Sequence, residues 1–184
     1  MLLRPRLILV HGAGRDPRDP VIQRLARPLE DALEIITPDL RSTENALRAG
    51  WMERLSDDIG DVKPDDILLG HSLGASQVLK WLAERQQPSP PRAFFALACP
   101  YWGVADWEAD EYVLGHNATE TLAQIGLLSF WHGTADSVVP HEHLSYYQRK
   151  LPFAEFNSLT GNDHDFDDQN LKAIAHRLRQ VALS

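Results

Sequence analysis

Short, almost wholly apolar runs alternate along the chain with longer stretches whose apolar residues recur every three or four positions. Leu7–Val10, Glu34–Thr37, Asp66–Leu69, Ala93–Ala98, Leu127–Trp131 and Phe153–Ser158 read as strands. Between them, Pro20–Leu33 gathers Ile22, Leu25, Ala26, Leu29 and Leu33 on one helical face, and Asn45–Ile59 gathers Leu47, Trp51, Leu55 and Ile59. Ala75–Gln86 turns Val78, Leu79 and Leu82 inward, and further helices fit Glu111–Gln124, Glu142–Lys150 and Asp168–Leu183. Strands that are apolar at nearly every position are buried on both faces. Regular β-α alternation places such strands in a parallel sheet covered by helices. The expected fold class is therefore α/β: a three-layer sandwich with a mostly parallel sheet of about six strands.

The chain of 184 residues suits one domain, residues 1–184, with a full hydrophobic core. The Pro/Ser-rich stretch Gln87-Pro88-Ser89-Pro90-Pro91 reads as a loop, because a boundary there would leave two pieces too small to complete the sheet. A net charge of −8, from 26 acidic against 18 basic residues, argues against nucleic acid and anionic membrane as partners. The lone cysteine, Cys99, excludes an intramolecular disulfide and fits a reducing, cytoplasmic setting. Following a strand, it is expected to be buried and inert. No apolar run approaches the ~20 residues that span a bilayer, and Leu7–Val10 is too short for a signal-peptide core. The oligomeric state is not legible: Trp51, Trp102 and Trp107 suit core, pocket or interface alike.

Candidate chemistry lies where open α/β sheets gather it, at the carboxyl ends of the strands. His11-Gly12-Ala13-Gly14 follows the first strand. Gly70-His71-Ser72-Leu73-Gly74 follows the third, and a G-x-S-x-G between strand and helix puts a serine on a sharp turn. His132-Gly133-Thr134-Ala135-Asp136 follows the fifth strand, and Gly161-Asn162-Asp163-His164-Asp165 the sixth. A hydroxyl, a carboxylate and an imidazole thus occur in the order Ser, Asp, His. A serine needs a base to become nucleophilic, an imidazole titrates near neutral pH, and a carboxylate on its far nitrogen fixes the tautomer.

These segments, with Pro38-Asp39-Leu40-Arg41 and Ser137-Val138-Val139-Pro140, resemble the α/β-hydrolase superfamily over essentially the whole chain. The small size and the early first strand resemble its cap-poor serine hydrolases, the retinoblastoma-binding-protein-9 and YdeN-like group. The resemblance implies a minimal fold without a large cap. It implies Ser72 as nucleophile, His164 as general base and Asp136 as the orienting acid. It also implies a backbone oxyanion hole from Leu73 and either Ala13 or Gly12, with no metal or organic cofactor. The implied activity is hydrolysis of a small carboxylic ester, thioester or amide through an acyl-enzyme. A catalytically weak binding module, an acyltransferase and a perhydrolase are the alternatives. The segment Tyr101-Trp102-Gly103-Val104-Ala105-Asp106-Trp107 occupies the place where larger relatives insert a cap, and reads either as a pocket wall and small lid or as a packed surface loop.

Plainer roles compete for each residue. Ser72 could cap a helix and Asp136 could be a turn acid. His164 could be a surface histidine paired with Asp163, Asp165, Asp167 or Asp168, the last two suiting the start of the final helix. The spacing between Gly161 and His164, with Asp165 before Phe166, departs from the superfamily's Gly-His-Phe and puts the loop's shape in question. His11, His71 and His132 read as structural. His141 and His143 form an H-x-H pair without a matched third metal ligand and are expected at the start of a surface helix.

Overall fold

The computed structural model describes residues 4–40, 48–84 and 89–184. Strands β1 (Arg6–Val10), β2 (Glu34–Ile36), β3 (Ile67–His71), β4 (Ala93–Leu97), β5 (Leu127–Gly133) and β6 (Glu155–Leu159) form one sheet in the order β2-β1-β3-β4-β5-β6. Every neighbouring pair is parallel. The helices are α1 (Pro20–Ala26), α2 (Arg48–Ile59), α3 (Leu73–Glu84), α4 (Ala118–Leu122), α5 (Glu142–Lys150) and α6 (Asp168–Leu183).

Alternate side chains of a strand point to opposite faces, and this alternation divides the core in two. Ile8, Val10, Leu68, Phe94, Ala96, Leu128 and Phe130 pack in one cluster with Trp51 and Leu55 of α2, Val78 and Leu79 of α3, and Leu122 and Tyr147. Leu7, Leu9, Ile67, Leu69, Phe95 and Leu97 pack in the other with Ile22 and Leu25 of α1 and Ile174 and Leu178 of α6. The expected three layers are present, with a wholly parallel sheet. Trp51 proves to be a core residue.

Some boundaries differ from the sequence expectation for identifiable reasons. The helix expected over Pro20–Leu33 ends at Ala26 and tightens into a 3-10 turn over Arg27–Leu29. Pro28 lacks the N–H that an α-helix would use there, and its ring crowds the preceding turn. The helix expected over Glu111–Gln124 is two short pieces, a 3-10 turn at Asp110–Tyr112 and α4, separated by a stretch containing Gly115. β3 and β5 run past their apolar cores to His71 and Gly133, because the ladder continues through the pairs His71–Leu97 and Gly133–Leu159. Arg41, the start of the helix expected from Asn45 and its residue Leu47, and residues 85–88 lie outside the described residues.

The strand order reverses between β1 and β3, since the chain leaves β1 toward β2 on one side and returns on the other. Such a reversal opens a crevice at the carboxyl ends of the two strands. Gly12 and Ser72 stand at its edges: a Cβ on Gly12 would lie 3.2 Å from the Ser72 Cβ. The start of α3 comes close to both strands. A Cβ on Gly70 would collide with the Ala75 backbone, and one on Gly74 with the carbonyls of His11 and Val10. Gly74→Ala is therefore expected to destabilise the protein by about 1–3 kcal/mol, the usual cost of overpacking. Urea unfolding measures it, and an unchanged midpoint would contradict the close approach.

Candidate active site

Ser72 has φ 54, a left-handed conformation that non-glycine residues adopt only under constraint. The constraint is visible. Its N–H donates to the Leu97 carbonyl at 2.9 Å, and its own carbonyl accepts from Ala75 N at 2.9 Å and Ser76 N at 3.4 Å. Strand β3 thus ends and α3 begins around one residue, whose side chain stands partly exposed at the crevice.

The acid and the imidazole come from the ends of β5 and β6 and meet. His164 Nδ1 donates to Asp136, 3.0 Å from Oδ1 and 2.9 Å from Oδ2. A carboxylate can only accept, so this contact puts the proton on Nδ1 and leaves Nε2 as the basic nitrogen. The two loops are closely fitted. A Cβ on Gly133 would collide with the Asn162 carbonyl, and Ala135 N donates to that carbonyl at 2.9 Å. His71 Nε2 donates to the His164 carbonyl at 2.9 Å, tying the serine turn to the histidine loop. Among the described hydrogen bonds none joins Ser72 Oγ to His164 Nε2, a link that commonly tightens only around substrate.

Burial alone would raise the Asp136 carboxyl, but it is held well below the usual carboxylate range by hydrogen bonds from His132, His164 and the Val139 and Val138 amides. His132, read from the sequence as structural, therefore touches the acid: its Nε2 donates to the Val139 carbonyl at 2.9 Å and lies 3.2 Å from Asp136 Oδ2. Only the fold reveals this, because the turn after β5 brings residues 132 and 136 back together. The neighbouring aspartates are occupied elsewhere. Asp163 accepts from Ser137 N and Oγ, both at 2.8 Å, and from the backbone N of His164. Asp167 caps α6 through Asn170 N at 2.7 Å.

Two backbone amides are oriented by what holds their partner carbonyls. In a trans peptide the C=O and the next N–H point oppositely. The Gly12 carbonyl accepts from His11 Nδ1 at 2.9 Å and Arg15 N at 3.3 Å, which turns the Ala13 N–H away from both. The Ser72 carbonyl is engaged by the first turn of α3, so the Leu73 N–H points out of the helix N-terminus, where amides have no intrahelical acceptor. His11 supports the first of these. Its Nε2 accepts from Leu40 N at 3.2 Å, which fixes the tautomer.

The family model of the alpha/beta hydrolase family matches residues 7–182. This chain belongs to that family. Among solved structures it is similar to the ydeN gene product of B. subtilis, with TM-score 0.84 and 14% identity over 98% of this chain and 100% of that one. It is also similar to Est1E from Butyrivibrio proteoclasticus, with TM-score 0.74 and 15% identity over 99% and 90%. Esterase PE8 is a third, with TM-score 0.66 and 20% identity over 97% and 93%. These likenesses are of fold. The resemblance to the small, cap-poor YdeN-like group holds at that level, including chain size. None of the curated proteins matches the sequence.

In this alpha/beta hydrolase, the segment after β4 is a short hairpin. Val104 and Trp107 form an antiparallel bridge, with Gly103 at φ 90 and Asp106 at φ 67. Trp102 packs on Trp107 and Tyr112, with ring centroids 5.3 and 4.7 Å apart. Tyr101 packs against Tyr146 and Tyr147. His143 corrects an expectation: it is buried rather than on a surface, accepting from Tyr101 N at 2.8 Å with Trp107 against its ring. His141 instead meets Ser158 Oγ at 2.8 Å. Each H-x-H ring thus has a separate protein partner, and among the described residues no three potential ligands converge. Cys99 is buried, hydrogen-bonded to Tyr147, and burial pushes its thiol up to about 12. No helix of the described residues is long and apolar enough to cross a membrane.

Burial lowers His71 from 6.5 to about 4 and lowers His143 to about 4. Both imidazoles are neutral in the fold and would gain protons more readily once unfolded. Their stabilising contribution is complete above about pH 6.5 and is lost as pH falls toward about 4. The melting temperature is expected to fall through that interval, less steeply in His143→Gln. A flat wild-type profile would refute the assignment.

Proposed function

We propose that the protein is a serine hydrolase of small carboxylic esters, with thioesters or amides as related substrates, acting through an acyl-enzyme. The observation that carries this reading is the contact of His164 Nδ1 with the buried, ionised Asp136, which prepares Nε2 as a base beside the Ser72 turn. Ser72 Oγ attacks the carbonyl carbon while Nε2 takes its proton, and the imidazolium returns that proton to the leaving group. Water then repeats the sequence on the acyl-enzyme, and Ser72 is released. The Leu73 and Ala13 amides receive the oxyanion, with Gly12 giving the substrate close access; one such donor is worth about 3 kcal/mol of barrier.

Each step is a proton or acyl transfer that these groups and water carry out themselves. The likeness to esterase PE8 supports the class, as does that to a thioesterase domain from the curacin biosynthetic pathway, with TM-score 0.71 at 14% identity. The short hairpin leaves Tyr101, Trp102 and Trp107 as the proposed wall of an open acyl pocket, which favours small, accessible substrates. A cytoplasmic location belongs to the same reading, since the single buried thiol needs no oxidising compartment.

A fluorophosphonate probe is expected to label the wild type at one site and to leave Ser72→Ala unlabelled. A folded wild type that does not react would sink the hydrolase reading. With p-nitrophenyl esters of graded acyl length, kcat should be highest for short chains. Asp136→Asn should lower kcat by about 10⁴-fold through the wrong imidazole tautomer; near-normal turnover would move the acid's role to Asp163 or Asp165.

A further inference from the structure

We infer that Arg15 is a positioning residue, which through Asp165 locks the oxyanion turn to the loop carrying the catalytic base; this rests on the hydrolase reading above. Arg15 closes the turn that begins at Gly12, because its N–H donates to the Gly12 carbonyl at 3.3 Å. That carbonyl belongs to the same peptide unit as the Ala13 N–H, so a shift of Arg15 reorients the amide. The guanidinium reaches the loop after β6. Its Nη2 donates to both Asp165 oxygens, at 2.8 and 3.0 Å, and Asp165 directly follows His164.

The other end of the fork is anchored. Nη1 donates to Asp19 Oδ2 at 2.8 Å, and Asp19 is itself fixed, buried and capping α1 through Val21 N at 2.7 Å. Asp165 also lies 3.9 Å from His71 Nε2, the group that holds the His164 carbonyl. A planar fork bonded at both ends fixes direction as well as distance, which a lysine would not do. One side chain thus spans 150 residues of sequence and joins the two parts whose spacing defines the reacting geometry.

The Arg15–Asp165 contact is partly open to water, with side-chain exposures of 31% and 54%, so that contact itself adds little to stability, whereas Arg15 also neutralises the buried Asp19. The contact's effect is expected on rate rather than on folding. Displacements of an ångström in reacting groups cost up to about 100-fold, and Asp165→Asn and Arg15→Met are each expected to lower kcat on p-nitrophenyl acetate about tenfold with KM little changed. The double variant should be no slower than the slower single, and Asp165→Glu should recover most of the rate. Two independent losses that multiply, or an Asp165→Asn enzyme at full rate, would overturn the inference.

Hydrogen exchange gives a reading that needs no turnover. In Asp165→Asn, amides 12–15 and amides 161–166 should both exchange faster. Acceleration confined to 161–166 would overturn the link even in an enzyme that labels with fluorophosphonate. A wild type that fails to label would instead count against the hydrolase reading, and the exchange pattern alone would then decide whether the link exists.

Discussion

Everything at the candidate site depends on how closely α3 approaches the ends of β1 and β3. Two positions, Gly70 and Gly74, admit no Cβ without a collision with backbone. The sheet's order reversal supplies the crevice, but the missing side chains let the helix begin beside it. With α3 in place, the Ser72 carbonyl must join the helix, the Leu73 amide must face outward, and the serine must take its left-handed turn. A bulkier packing would lengthen the turn and dissolve all three features together.

The second layer of organisation is imidazole chemistry. His11, His71, His132 and His143 are buried, and each is bonded to backbone. An imidazole carries two ring nitrogens on one rigid plane, so it can tie a loop to backbone some distance away. His11 connects the turn after β1 to Leu40, His71 connects the serine turn to the histidine loop, and His132 holds the turn containing Asp136. The carboxyl edge of the sheet is in this way stitched by rings, two of which meet the carboxylate of Asp136.

Much of this is legible in the sequence because it is repetitive or local. Apolar runs and three-to-four periodicity locate all six strands and place α5 and α6 to the residue. The four loops that gather at the crevice stand out as the Gly- and His-bearing segments directly after β1, β3, β5 and β6. Boundaries fail where a local feature competes with periodicity, as at Pro28 and near Gly115. The roles of Arg15 and His132 are hidden for a different reason. Arg15 gains Asp165 only when the sheet brings the loops after β1 and β6 together, and His132 reaches Asp136 only because the turn after β5 folds back. The burial of His143 is hidden likewise, since H-x-H looks the same on a surface as beneath Trp107.

The hairpin after β4 has a further consequence, for what this scaffold can become. Its base is already shut by Gly103 N to the Trp107 carbonyl and Trp107 N to the Val104 carbonyl, both at 3.0 Å. Ala105 and Asp106 at its tip are exposed. Chain spliced in at the tip would leave the flanking pairing and the sheet untouched, and each doubling of such a loop costs only about 0.6 kcal/mol in closure entropy. The hairpin is thus a ready graft point beyond the carboxyl end of β4, where chain could be added without reworking the sheet beneath.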